Sequence, residues 1–150
     1  MQNDLPAKLQ SDIKGICVEA DGLAESGAPR EAWAKYIEAL ALVPEPKTEW
    51  DLTTRILAGV GNVAFARKSY AKAKDALEDA VRCPGGLGDA FIHLRLGQCH
   101  YELGDRARAA DNLARAYMGG GREAFANEDP KYFALVEEVL KPPAGMDRLP

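Results

Sequence analysis

The 150-residue chain is long enough for one domain with a sizeable core, and its formal net charge of −4 is spread along the sequence. That balance argues against nucleic acid, since phosphate binding needs a basic face, and no apolar run approaches the ~20 residues that cross a bilayer. The start, Met1-Gln2-Asn3-Asp4-Leu5-Pro6, lacks a secretory leader's basic-then-apolar pattern, and an odd, scattered set of cysteines (Cys17, Cys83, Cys99) points to reduced thiols and a cytoplasmic location.

Abundant alanine with few Val, Ile and Thr favours helix over sheet. A first helix is predicted from Pro6 or Ala7 to about Glu25, with Leu9, Ile13, Ile16, Ala20 and Leu23 in helical period and Gly27 ending it. Pro29 opens the second, which carries Trp33, Tyr36, Ile37 and Leu40 and stops at Val43-Pro44. Thr48 or Asp51 is expected to cap the third, which runs to about Arg67 through Gly59 and Gly61. The fourth spans about Tyr70 to Arg82, and Pro84-Gly85-Gly86-Leu87-Gly88 breaks the pattern. The fifth runs from about Asp89 to Leu103 and the sixth from about Ala107 to Met118, before Gly119-Gly120-Gly121. After a short piece at Glu123–Phe125, Asp129-Pro130 starts a last helix that reaches about Leu140.

Three segments recur in nearly the same phase. Ala32, Tyr36 and Ala39 are matched by Ala73, Leu77 and Ala80, and again by Ala109, Leu113 and Ala116. The spacing is 41 residues between the first two units and 36 between the next. Helix pairs of this spacing resemble the tetratricopeptide repeat, whose unit of about 34 residues sets small residues at close helix contacts. Ala20, Gly61 and Gly97 fill the small position of the first helix in each pair, and Pro44 and Pro84 the terminal proline. The longer first gap reads as an insertion at 45–51 that loops out of one face. The resemblance covers about residues 10–120 and implies an all-α fold: three tetratricopeptide-like helix pairs in a short right-handed solenoid plus a C-terminal capping helix. The expected domain is 1–141, with repeats at about 13–44, 54–84 and 90–120, the cap at about 130–141 and a loose tail at 142–150.

The resemblance also implies a groove lined by the first helix of each pair. Its partner-binding positions are Cys17, Asp21 and Glu25 in the first unit, Arg55, Asn62 and Phe65 in the second, and Phe91, Gln98, Tyr101 and Glu102 in the third. Asp21 and Glu25 make one end acidic, while Phe65, Phe91 and Tyr101 supply aromatic anchors of the kind that hold a protein or peptide. Repeat domains of this family that grip acidic chaperone tails use Lys and Asn where Cys17 and Asp21 stand, so that role is not expected here. The stretches Phe91–Gly104, Ala109–Met118 and Glu128–Phe133 resemble short stand-alone bacterial tetratricopeptide proteins, some of which are immunity proteins to secreted toxins. That resemblance implies a non-catalytic protein that binds and neutralises a cognate toxin. The alternative is an adaptor or chaperone holding a peptide segment of a secreted or assembling partner. Exposed stack ends leave a homodimer open.

No arrangement points to catalysis, a cofactor or a metal. His93 and His100 are seven apart, too far to share one ion, and both fall on packing positions. Gly85-Gly86-Leu87-Gly88 and Gly119-Gly120-Gly121 follow no strand and lack the Lys-Ser/Thr of a phosphate loop. Arg67, Lys68, Lys72 and Lys74 make a small basic patch, read as solvent-facing.

Overall fold

The alanines that mark the repeat are among the most deeply buried of the described residues. Ala32, Ala39, Ala73, Ala80, Ala109 and Ala116 are all inaccessible, and Tyr36, Leu77 and Leu113 fill the space between them. A methyl side chain at these points lets two helix backbones approach, while the large residue one turn on packs the gap that remains.

The computed structural model describes residues 5–150; residues 1–4, which open the stretch read as lacking a leader, lie outside them. The described residues form seven α-helices and no strand: α1 Ala7–Glu25, α2 Pro29–Leu42, α3 Asp51–Ala66, α4 Tyr70–Val81, α5 Ala90–Glu102, α6 Arg106–Gly120 and α7 Pro130–Val139. Short 3-10 turns at Lys47–Glu49 and Arg122–Phe125 complete the list. None of these helices is long and apolar enough to cross a membrane. The chain divides into two compact units, Met1–Leu87 and Gly88–Pro150.

In the first unit α1 pairs with α2 and α3 with α4, and α2 also packs on α3. Space between these helices comes from glycine. A Cβ on Gly61 would overlap the Leu77 side chain, and one on Gly59 would lie 2.5 Å from the Tyr36 ring. The two glycines that weaken α3 as an isolated helix are therefore where α4 and α2 come closest.

The pairs close with one recurrent turn. The N–H of Ala28 reaches back to Leu23 at 2.8 Å, that of Ser69 to Ala64 at 2.9 Å and, in the second unit, that of Asp105 to His100 at 2.9 Å. Each turn needs one residue in the left-handed region. Gly27 and Gly104 supply it at φ 84° and 85°, but the equivalent residue between α3 and α4 is Lys68, at φ 60°. A lysine there costs about 1 kcal/mol that a glycine would not.

The insertion at 45–51 is tied down rather than looped out. Lys47 Nζ donates to the carbonyls of Leu40 at 2.9 Å and Val43 at 2.5 Å, satisfying the C-terminal end of α2. Trp50 Nε1 donates to Pro44 O at 3.0 Å. Neither Thr48 nor Asp51 caps α3: Trp50 holds the cap position without a side-chain bond, and Asp51 is the first helical residue, where its charge complements the helix dipole.

In the second unit α5 pairs with α6, and α7 packs on α6. Gly97 repeats the Gly61 arrangement, with a Cβ there 2.7 Å from Leu113. Asp89 caps α5, Asp105 caps α6 and Asp129 caps α7, each through its carboxylate. Phe125, Tyr132, Phe133, Leu135 and Val136 build the core under α5 and α6. The segment after α7, expected to be loose, docks on this core. Leu149 is buried, Arg122 donates to Leu149 O and Tyr117 Oη to Pro150 O, both at 2.7 Å. One apolar side chain, two carbonyl acceptors and the Arg148–Glu137 ion pair at 3.6 Å hold it, a signal too sparse to show as periodicity.

Candidate functional site

In the first unit the expected groove positions lie on α1 and α3, and two of them, Asp21 and Arg55, form one polar cluster with Tyr36. Cys17 is fully buried beneath it, so its side chain packs inside and is not on a binding face. Burial pushes its thiol pKa up, against the pull of the nearby Arg55 charge. Asp21 accepts a hydrogen bond from Tyr36 Oη and pairs with Arg55 at 3.0 Å. Burial, then the Asp21 carboxylate, raises the Tyr36 phenol pKa, so it stays a donor. The acidic end read from Asp21 and Glu25 is thereby halved, because Asp21 is neutralised within the unit while Glu25 remains exposed. Arg55 is exposed, and Asn62 and Phe65 are half-buried, with the Phe65 ring edge-on to Tyr70 at 5.6 Å between centroids.

In the second unit the expected positions on α5 meet the chain's own C-terminal residues. Gln98 is fully buried and donates from Nε2 to Glu128 at 2.7 Å. Arg95 reaches the same carboxylate oxygen at 2.5 Å and the Gln98 carbonyl at 2.7 Å. The Tyr101 ring stands edge-on to Tyr132 at 5.3 Å, and Lys131 Nζ lies 5.3 Å from its centroid. Glu102 pairs with Lys131 and accepts from Tyr132 Oη, both at 2.8 Å. Burial works to raise the Glu102 pKa, but the Lys131 and Tyr132 hydrogen bonds outweigh it and hold the carboxyl below its ordinary value. Phe91 is the exception: its ring is 42% exposed, flanked by the Arg95 guanidinium at 5.3 Å.

Gln98 therefore corrects the expected groove as Cys17 does, since a fully buried amide cannot reach a partner. Glu128 and Lys131, which do the covering, stand in the sequence only as part of the Glu128–Phe133 stretch of family likeness, with nothing to mark them as contacts of α5. Glu128 lies in a loop before a helix start, and no spacing rule links it to α5.

Both histidines are buried. His93 accepts the Gly88 N–H at Nε2, 2.9 Å away, so Nδ1 carries the proton and donates to Asn112 Oδ1 at 2.9 Å. It straps the start of α5 to α6 and leaves no lone pair for a metal. Among the described residues no three His, Cys, Asp or Glu side chains converge as a ligand set.

No protein-family model matches the sequence. No curated protein matches it either. Solved structures do match in fold. The Hsp90 co-chaperone Cns1 from Saccharomyces cerevisiae aligns over 87% of this chain with a TM-score of 0.67 at 13% identity. The chain spans only 39% of that protein's length. MamA aligns over 87% of this chain and 81% of its own, with a TM-score of 0.62 at 17% identity. YrrB, described as a TPR protein with an unusual peptide-binding site, aligns over 87% of this chain and 73% of its own, with a TM-score of 0.61 at 23% identity. The recurrent helix pairs, their inaccessible alanines and these likenesses together establish a tetratricopeptide-like, all-helical solenoid fold.

Proposed function

We propose that this chain is a non-catalytic protein-binding module, and that it acts as an immunity protein, holding a folded toxin domain and blocking its activity. The observation that carries the preference for a folded partner is the covering of Gln98, Tyr101 and Glu102 by Glu128, Lys131 and Tyr132. An extended peptide would need those α5 positions open. What remains accessible among the expected positions is a set of separate anchors: Glu25, Arg55 and Phe91 are exposed, on helices fixed before binding. Anchors on preformed helices suit a folded partner, because little ordering cost falls on either side.

A second reading, an adaptor or chaperone for a peptide segment of a secreted or assembling protein, draws support from the likeness to YrrB and its peptide-binding site. Likeness to Cns1 does not extend it to acidic chaperone tails, because Cys17 is buried and Asp21 already holds the nearby Arg55, so neither position offers a carboxylate a free donor.

The test is affinity purification of the tagged chain from its native cells, followed by expression of each captured protein alone. The immunity reading requires a captured protein that is toxic by itself and harmless when co-expressed with this chain. Captured partners that are harmless alone, and that bind through short linear segments, would replace it with the chaperone reading.

A further inference from the structure

Trp33 is a large aromatic side chain left 43% exposed on α2, where it faces the α3–α4 turn. Trp33, Ala64, Arg67, Ser69 and Lys72 line a cleft of about 170 Å³. That is below the roughly 300–1,000 Å³ of sites for small organic ligands, and closer to room for one side chain.

The charge around the cleft is unbalanced. Most other cations of the same unit have acidic partners, Lys35 with Glu19, Arg55 with Asp21, Lys74 with Glu78 and Arg82 with Asp79; Lys14 and Arg30 stand singly, each without a neighbouring cation in sequence. Arg67, Lys68 and Lys72 form no ion pair among the described residues, and the nearby Asp75 turns to Lys74. The first turn of α4 offers no acidic side chain, and Ser69 makes no side-chain cap bond. Three uncompensated cations thus sit within six residues of an acidic protein. Lys68 holds its place in a left-handed conformation that the other two pairs assign to glycine, so the positive charge is kept against the local backbone preference.

We propose that this cleft is a docking site for an acidic peptide segment of a partner protein, with carboxylates on Arg67 and Lys72 and an apolar side chain against Trp33. Charge complementarity selects the occupant, and the indole supplies the apolar floor. A nucleic-acid strand fits less well, because it needs cations spaced along a track and these are confined to one turn. The site lies between α2, the C-terminal end of α3 and the start of α4, and its lining shares no residue with the expected groove positions. That the occupant is a protein is carried over from the protein-binding reading. The peptides used below probe the cleft without the cellular partner, so either idea can fail alone.

The experiment titrates the full chain with a pool of nine-residue peptides carrying two or three Asp or Glu around one Leu or Phe. Tryptophan emission is the readout, with lysine-for-glutamate peptides and an oligothymidylate of matched charge as comparisons. The expected result is saturable binding of acidic members that blue-shifts Trp33 emission. It weakens at least about tenfold in Arg67→Glu/Lys72→Glu, as loss of charge-assisted bonds should, and is unchanged in Lys14→Glu, an exposed cation on α1. Lys68→Gly should weaken binding while raising the melting temperature, a combination that general unfolding cannot produce. No saturable binder in the pool, binding indifferent to the double charge reversal, or tighter binding of oligothymidylate than of any peptide would each overturn the proposal.

Discussion

The Glu128 carboxylate lies 2.5 Å from the Arg95 guanidinium, and both side chains are less than a fifth exposed. Gln98, fully buried, donates to the same oxygen. Removing the carboxylate leaves a partly buried charge and a buried amide without their shared acceptor. Glu128→Ala should therefore destabilise the fold by about 2–3 kcal/mol, and Glu128→Gln by less, since an amide oxygen still accepts. Urea denaturation of the three proteins checks this. A loss under about 0.5 kcal/mol for the alanine variant would mean the loop before α7 is not held by this pair.

Glycine positions that look alike in sequence should respond with opposite sign. A Cβ at Gly97 would sit 2.7 Å from Leu113 Cγ and 3.0 Å from its backbone nitrogen, whereas one at Gly15 meets nothing within 4 Å. Gly97→Ala and Gly61→Ala should each cost about 1–3 kcal/mol through overpacking. Gly15→Ala, on an exposed stretch of α1, should gain about 0.5–1 kcal/mol of helix propensity. Thermal melts of the three variants decide it. A stabilised Gly97→Ala would show that α5 and α6 can separate without loss.

Helix boundaries were legible from local chemistry. The starts read at Pro29, Asp89, Ala107 and Asp129-Pro130 hold to within a residue or two, because capping and proline geometry depend on neighbours in sequence. The alanine register was legible for the same reason. The faces were not. Repeat positions assigned Cys17 and Gln98 to a groove, yet both are fully buried. Gln98 is buried by a residue 30 positions away, Glu128, whose loop carries no period. The insertion misled in a similar way: its anchors, Lys47 and Trp50, act through bonds to carbonyls of α2 and Pro44, which composition does not reveal.

The three thiols should be nearly inert in the folded state. Cys17, Cys83 and Cys99 are free and buried. Burial raises the pKa of all three, and pushes Cys99 up to about 12, so little thiolate forms near neutral pH. A thiol-reactive dye at pH 8 should label the native chain slowly and the unfolded chain fully. Rapid labelling of one site without unfolding would show a local opening of its helix pair.

Acid should loosen the α5–α7 connection. The Glu102 carboxyl is held below its ordinary value of 4.5 because the Lys131 and Tyr132 bonds outweigh burial. Its folded pKa is depressed, so its contribution is fully present above about pH 4.5 and is lost as pH falls through the lower folded value. The stability of the natural protein should drop more steeply below pH 4.5 than that of Glu102→Gln. Parallel pH–denaturation series give the comparison, and identical slopes would show that the pair is silent.

Holding one folded partner is the central claim, and native mass spectrometry of the tagged chain, purified from its own cells without crosslinking, tests it most directly. The predicted spectrum is a single complex in equal stoichiometry, which falls apart when Glu25→Arg and Phe91→Ala remove two of the exposed anchors. A ladder of many sub-stoichiometric species, or one complex that persists unchanged in that double variant, would contradict the account.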